Sequence, residues 1–336
     1  MTTKLNRATI LDVAKKAGVS HTTVSRVIRS PNKVSNTLTE RVHAAMRALD
    51  YQPNIIAGAL VSSYTPIVPV IMPQLGNAVF SDLIHEITDT LGANGYQVLL
   101  GSTFYSQDQE DKLIHTFLGW SPAGMILAGA SLSEQAREWL TSANIPVAQV
   151  IGQQDKPINI AVDCDHRQAG YELACHLIKK GYRKFAFAGT RLEHDLRARM
   201  RLEGMQKAVK EMGVGEPVLI SGGQERTSYA VGRALAEQAL AKGDKVDIIY
   251  AASDILAVGA MMEIQSRGLI FGDDIGVSGF GGLEIAKAIY PKLTTVEARF
   301  GYMGKRAAEL LMTQIGRKPV AVHEDVGFTI IDGGSA

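Results

Sequence analysis

Three groups of residues in this chain have types and spacings that could carry chemistry. His21, Thr22 and Arg26 lie within one short, basic stretch. An arginine can grip a guanine edge with two donors, and His and Thr offer single hydrogen bonds to neighbouring bases. Arg197 and Arg201 are four residues apart, on one face at the start of a helical pattern. Two guanidiniums beside a helix N-terminus suit a carboxylate, whereas a neutral sugar needs no such charge. The third group is the run Asp163-Cys164-Asp165-His166. A catalytic Cys–His pair is normally distant in sequence, since adjacent side chains point apart. Asp165 is placed instead to cap the helix that starts near His166, or to bind a ligand hydroxyl. No GxSxG, P-loop or HExxH occurs, no GxGxxG follows the first strand, and the other histidines are scattered without metal-like spacing. The expectation is a binding protein, not an enzyme, with no metal or cofactor.

The elements that must position the first group are helices. Thr9 is a good N-cap, and Asp12 falls in the first turn, where a carboxylate suits the helix dipole. Ile10, Val13, Ala14 and Ala17 make one apolar face. Gly18 breaks that helix, and Ser20 caps the next, which buries Val24, Val27 and Ile28. Ser35 or Thr37 can cap a third helix, with Val42, Ala45, Met46 and Leu49 inward. Helix, short Gly-containing turn, helix is the helix-turn-helix arrangement, whose second helix offers its first turn to the major groove.

Charge supports this placement. Residues 1–60 hold nine Lys/Arg against three Asp/Glu (+6), which leaves 26 bases and 31 acids (−5) in the rest of the 336-residue chain. A basic head on an acidic body points to a polyanion partner for the head alone. Length suggests about two domains and a small extra module. With 46% apolar and 21% charged residues, the composition is that of a globular chain with a large core. No apolar run approaches the roughly 20 residues of a membrane span, and no secretory signal opens the chain. Two cysteines, Cys164 and Cys175, make no disulfide framework or zinc site, which fits a reducing cytoplasm.

From Ile67 onward, short apolar runs (IVPVIM, YQVLLG, GMILAG, IPVAQVI, FAFAG, PVLIS, VDIIYAA, IGVSGF) alternate with helical patterns over about 78–93, 107–118, 133–143, 167–180, 197–212, 225–241 and 254–267. Such alternation predicts parallel, doubly wound sheets, here in two similar sets with a cleft between them. Ligands of such sheets sit outside the carboxyl ends of the strands.

DVAKKAGVSHTTVSRVI, followed by Val34-Ser35, Tyr51-Gln52-Pro53-Asn54 and Ala57-Gly58-Ala59-Leu60, closely resembles the lactose/galactose repressor family. The body stretches CDHRQAGYELACHLIKKGYRKFAFAGT, RMRLEGMQKAV, AASDILAVGAMMEIQSRGL and IGVSGFGGLEIAKAIYPKLTTVE follow the same family. Within it, INIAVDCD, GTRLEHD, TTVEAR and DVGFTIIDGGS are most similar to the gluconate repressor subgroup. The resemblance implies an all-α helix-turn-helix head (1–53), a hinge (54–65), and an α/β body (66–336) of two doubly wound parallel-sheet subdomains, like periplasmic binding proteins. The first subdomain is expected at about 66–162 plus 295–325, the second at about 165–293 plus 326–336. It implies a homodimer on palindromic double-stranded operator DNA. Thr9, Ser20, His21, Thr22, Ser25, Arg26 and Asn54 are the implied DNA contacts, and Leu60 a wedge in the central minor-groove step. Gly58 stands where the family usually has Arg and weakens a hinge helix by about 1 kcal/mol against Ala.

For the cleft, the resemblance implies effector contacts from Asn77, Cys164, Arg197, Arg201, Ser253 and Asp254; Asp165 is a further candidate for a hydroxyl and Arg299, on the crossover side, for a carboxylate. Arg201 matches the family's effector arginine, and Gly281 stands in place of its usual acid. A sugar acid such as gluconate fits, with its carboxylate on Arg201 and hydroxyls on Asp254, Asp165 and Asn77. A ketogluconate, a phosphorylated sugar, an idonate-like acid or a neutral sugar are the alternatives, as is a sugar-binding protein without a regulatory role.

Overall fold

The computed structural model describes residues 8–29, 33–52, 64–75, 78–129, 132–152 and 157–336. The chain divides into two compact units, Met1–Thr65 and Pro66–Ala336.

In the first unit three helices, α1 (Ile10–Ala17), α2 (His21–Arg29) and α3 (Asn36–Ala48), surround a small core. Thr9 and Asp12 form a reciprocal capping box at the start of α1, and Gly18 ends it in the left-handed region at φ 62°. The turn throws Val19 inward, where it joins Val13, Ala14, Ala17, Val24, Val27, Val42 and Ala45. Ser35, not Thr37, takes the N-cap position of α3, without a side-chain bond.

The second unit holds two six-stranded sheets, ordered β11-β5-β4-β3-β1-β2 and β12-β10-β9-β8-β6-β7. The first contains β1 (Ile67–Met72), β2 (Gln97–Ser102), β3 (Met125–Ala128), β4 (Val147–Val150), β5 (Ile160–Asp163) and β11 (Val322–Asp325). The second contains β6 (Phe185–Gly189), β7 (Val218–Ser221), β8 (Ile248–Ala251), β9 (Gly276–Gly281), β10 (Thr294–Glu297) and β12 (Thr329–Ile331). All pairings are parallel except that of β10 with β12. Most of these strands are buried along their length, as strands covered on both faces by helices must be.

The chain crosses between sheets three times: at Cys164-Asp165, at Ala298-Arg299 and at Val326-Gly327-Phe328. The second crossing lies beyond the boundary expected at residue 295. Thr294–Glu297 pairs with β9 and β12, so it belongs to the second half. The helix expected over 225–241 begins at Tyr229, because Ser228 takes its N-cap.

Two helices of the second half pack unusually closely. A side-chain carbon at Gly170 would overlap the carbonyl of Arg201, and one at Gly204 the carbonyl of Arg167. Bare backbone at these two positions therefore lets helix His166–Lys179 lie directly against helix Leu196–Glu211.

Candidate functional site

On the head, the apolar side of α2 is taken up by Val24 and Val27, both buried. His21, Thr22 and Arg26 are exposed and Ser25 is half-buried, so these four form the outward face of the helix's first turns. The two other expected DNA contacts among the described residues, Thr9 and Ser20, bond locally. Thr9 donates its hydroxyl to Asp12 at 2.7 Å, and Ser20 accepts the backbone N–H of Thr23 at 3.2 Å. These two side chains fix where the helices start. Asn54 and Leu60 lie outside the described residues.

In the body, a cavity opens where the carboxyl ends of the two sheets face each other. Its lining comes largely from residues that follow strand ends: Tyr105 after β2, Ile151 after β4, Thr190 after β6, Ser253 after β8 and Phe280 in β9. Tyr105 and its neighbour Phe104 are successive left-handed residues, at φ 64° and 52°. That conformation costs a non-glycine residue roughly 1–2 kcal/mol, and it is sustained here at the rim of the cavity.

Asp195 caps helix Leu196–Glu211 and accepts from the backbone N–H groups of Arg197 and Ala198. The same carboxylate accepts from Arg197 Nε at 3.0 Å and Nη2 at 3.3 Å. Burial pushes this acid up, but Arg197 and then Arg201 outweigh it and hold the carboxyl at about 2. Arg197 is thus a matched charge. It reaches across the cleft to the ring of Phe80, 5.9 Å away, and its charge faces the Tyr105 hydroxyl.

Arg201 is different. It is 6% exposed and lies 4.2 Å over the Phe280 ring. Its Nη2 donates to the carbonyl of Ala252 at 2.9 Å, and its Nη1 lies 3.0 Å from His166 Nδ1. No carboxylate forms an ion pair with it among the described residues. His166 is buried and held well below the usual imidazole range, first by burial and then by Arg201 and Arg197. It is therefore neutral, and the wall is left with two arginines sharing the one carboxylate of Asp195, which pairs directly only with Arg197. Ser253 also lines the cavity.

Several expected effector contacts are placed elsewhere. Asp254 is fully buried and is not part of the cavity lining; it accepts from Leu283 N–H at 2.8 Å and from the Thr295 hydroxyl, which joins the chain after β9 to β10. Asp165 is an N-cap, accepting from the N–H groups of Arg167 and Gln168 at 2.9 Å. Cys164 is buried and does not line the cavity, and burial pushes its thiol up to about 12. Arg299 is exposed and donates to Val326 O and Thr329 Oγ1, tying together two crossings. Asn77 lies outside the described residues. The run 163–166 thus splits four ways, with Asp163 pairing His323 at 3.0 Å. Among the described residues, no three His, Cys, Asp or Glu side chains are grouped to hold a metal, and no helix is long and apolar enough to cross a membrane.

The cavity also contains residues not singled out from the sequence: Asp195, Thr190, Thr227, Tyr105, Phe80 and Phe280. Asp195 had a local signal, since an Asp two residues before an Arg at a helix start can be both cap and ion-pair partner. His166 was weighed only beside Cys164; its place in the cavity had no local signal, because its partner is 35 residues away.

Comparison with known proteins agrees with this architecture. Residues 9–54 match the lacI family of bacterial regulatory proteins, and residues 174–336 match a periplasmic binding protein-like domain. The HTH-type transcriptional regulator GntR of Escherichia coli K12 is 31% identical over 334 residues, covering 99% of both chains. The regulator of the same name from Pseudomonas aeruginosa is 33% identical over 326 residues, covering 97% of this chain and 94% of its own. The crystal structure of a LacI-family transcriptional regulator from Silicibacter pomeroyi superposes with a TM-score of 0.89 at 33% identity, covering 98% of this chain and 99% of that one.

Proposed function

This chain belongs to the lacI family of bacterial regulatory proteins and is a DNA-binding transcriptional regulator, and from that premise we propose that it is a cytoplasmic repressor released by a sugar acid. A homodimer holds a palindromic operator through α2 of each head. A singly charged acid of the gluconate type enters the cleft and loosens that hold. The chain acts by binding and does no catalysis of its own.

The observation that carries the effector reading is the charge count at the cavity. Arg197 and Arg201 face the single carboxylate of Asp195, and His166 is neutral, so the lining carries one cation in excess, with Arg201 outside any ion pair. One buried cation calls for one carboxylate; a phosphorylated sugar would bring more negative charge than the wall matches. Thr190, Thr227 and Ser253 supply hydroxyl partners for the polyol chain. Effector shifts the equilibrium between two domain arrangements, and can do so only by its preference for one of them.

Isothermal titration with gluconate, 6-phosphogluconate and glucose tests the effector. Gluconate should bind most tightly, and tight glucose binding without gluconate binding would refute the reading. At the head, Arg26→Ala should cost about 1–3 kcal/mol of operator affinity, concentrated at one base pair. Unchanged sequence preference in footprints of this variant would remove Arg26 from the interface. Wild-type affinity should also fall steeply with salt as phosphate counterions are released.

A further inference from the structure

Three polar atoms on residues of the cavity wall are buried without a partner: Arg201 Nε, His166 Nε2 and Ser253 Oγ. The others of this kind among the described residues belong to Thr39, Gln149, Asp163 and Ser278, none of which lines the cavity. Each unsatisfied buried group costs about 1–3 kcal/mol, so three on one cavity mark a surface prepared for a ligand.

The polarity of two of these atoms is fixed. A guanidinium donates and never accepts. At 3.0 Å from Arg201 Nη1, His166 Nδ1 must therefore be the acceptor. The ring is then neutral, with its single proton on Nε2. The groups nearest the ring keep it so: Arg201 and Arg197 oppose a second proton, and Phe280, 5.3 Å away ring to ring, offers no anion. Asp195 favours the charged ring, but burial and the two arginines prevail.

We infer that His166 is a specificity-determining residue of the cleft, locked by Arg201 as an Nε2–H donor that requires an oxygen acceptor on the ligand. Arg201 Nε makes the same demand, and Ser253 can meet either a donor or an acceptor. The ligand class is an oxyanion carrying further oxygen acceptors. A ligand that turned an amine or amide N–H toward His166 would meet donor with donor and be refused. The inference rests on the anionic-effector reading above and extends it to a particular atom.

Nitrogen-15 NMR of the histidine rings in the full-length, ligand-free chain reads the lock directly, with the His166 signal assigned by its loss in His166→Asn. The expected result is the Nε2–H tautomer, without titration, across the range in which a free imidazole titrates. Isothermal titration with gluconate reads its use. His166→Leu, which removes donor and acceptor, should bind roughly tenfold to a hundredfold more weakly. His166→Asn keeps one of each and should retain most of the affinity, which separates the hydrogen bond from loss of fold. An Nδ1–H tautomer, a protonated ring at neutral pH, or wild-type affinity in His166→Leu would overturn the inference. If wild-type protein ignores gluconate, the sugar-acid reading falls, and the tautomer alone decides whether His166 is a donor.

Discussion

The two halves of the body share one strand order, apart from the antiparallel edge strand β12, but among the described residues they divide the cavity unequally. The second half supplies its polar side chains, His166, Thr190, Asp195, Arg197, Arg201, Thr227 and Ser253. The first supplies Val79, Phe80, Tyr105, Ile151 and Phe300, which are apolar or aromatic. Even the contacts across the gap follow this division. Arg191 of the second half lies 4.9 Å over the Tyr105 ring of the first, and Arg226 lies 5.8 Å over Phe104. One half recognises and the other covers. Covering is a real contribution, since excluding water strengthens every charge interaction inside.

If that division is right, substitutions in the two halves should differ in kind. The largest effect is expected from Arg201→Ala, which removes the cation outside any ion pair and strands His166. Gluconate affinity should fall by about 2–5 kcal/mol in a calorimetric titration, with the preference over glucose lost. A variant that still prefers the acid would move recognition elsewhere.

Next comes Glu110 in the first half, whose carboxyl is raised from 4.5 to about 7, mainly by burial and further by Asp111. A raised acid stabilises the fold fully below pH 4.5 and loses that contribution as pH climbs through about 7. Glu110→Gln should flatten this fall, gaining up to about 3 kcal/mol relative to wild type at pH 8 and little at pH 4. Thermal melts across that range check it, and gluconate affinity should not follow.

A smaller change is expected from Asp165→Ala. As the N-cap of helix His166–Lys179, it should cost about 1 kcal/mol of stability in urea titration. A loss of selectivity between acid and sugar would instead restore Asp165 to the ligand site. The smallest is Tyr105→Phe, which keeps the ring and removes the hydroxyl that faces the Arg197 charge. Affinity for every ligand should drop by about 0.5–1 kcal/mol, without a change in rank.

The head was readable from its sequence because its determinants are local. Thr9, Gly18 and Ser20 each act within a few residues of themselves, and the helical period alone separates Val24 and Val27 from His21, Thr22 and Arg26. The alternation of strands and helices likewise predicts both sheets. The cavity was legible only in part. Arg197 and Arg201 sit four apart and look equivalent, yet Asp195 forms an ion pair with one and not the other. The cap at Asp165 was legible, since its partners are Arg167 and Gln168. The partners of Asp254 and His166 lie 29 to 41 residues away, and no local pattern records them.

The bare contact of Gly170 and Gly204 bears on how such a site can be altered. The first helix carries His166 and the second carries Arg201, so the depth to which they nest sets the reach between imidazole and guanidinium. A methyl group added at either glycine would wedge the helices apart and dismantle the donor pair from behind, without a single atom changed in the wall that meets the ligand.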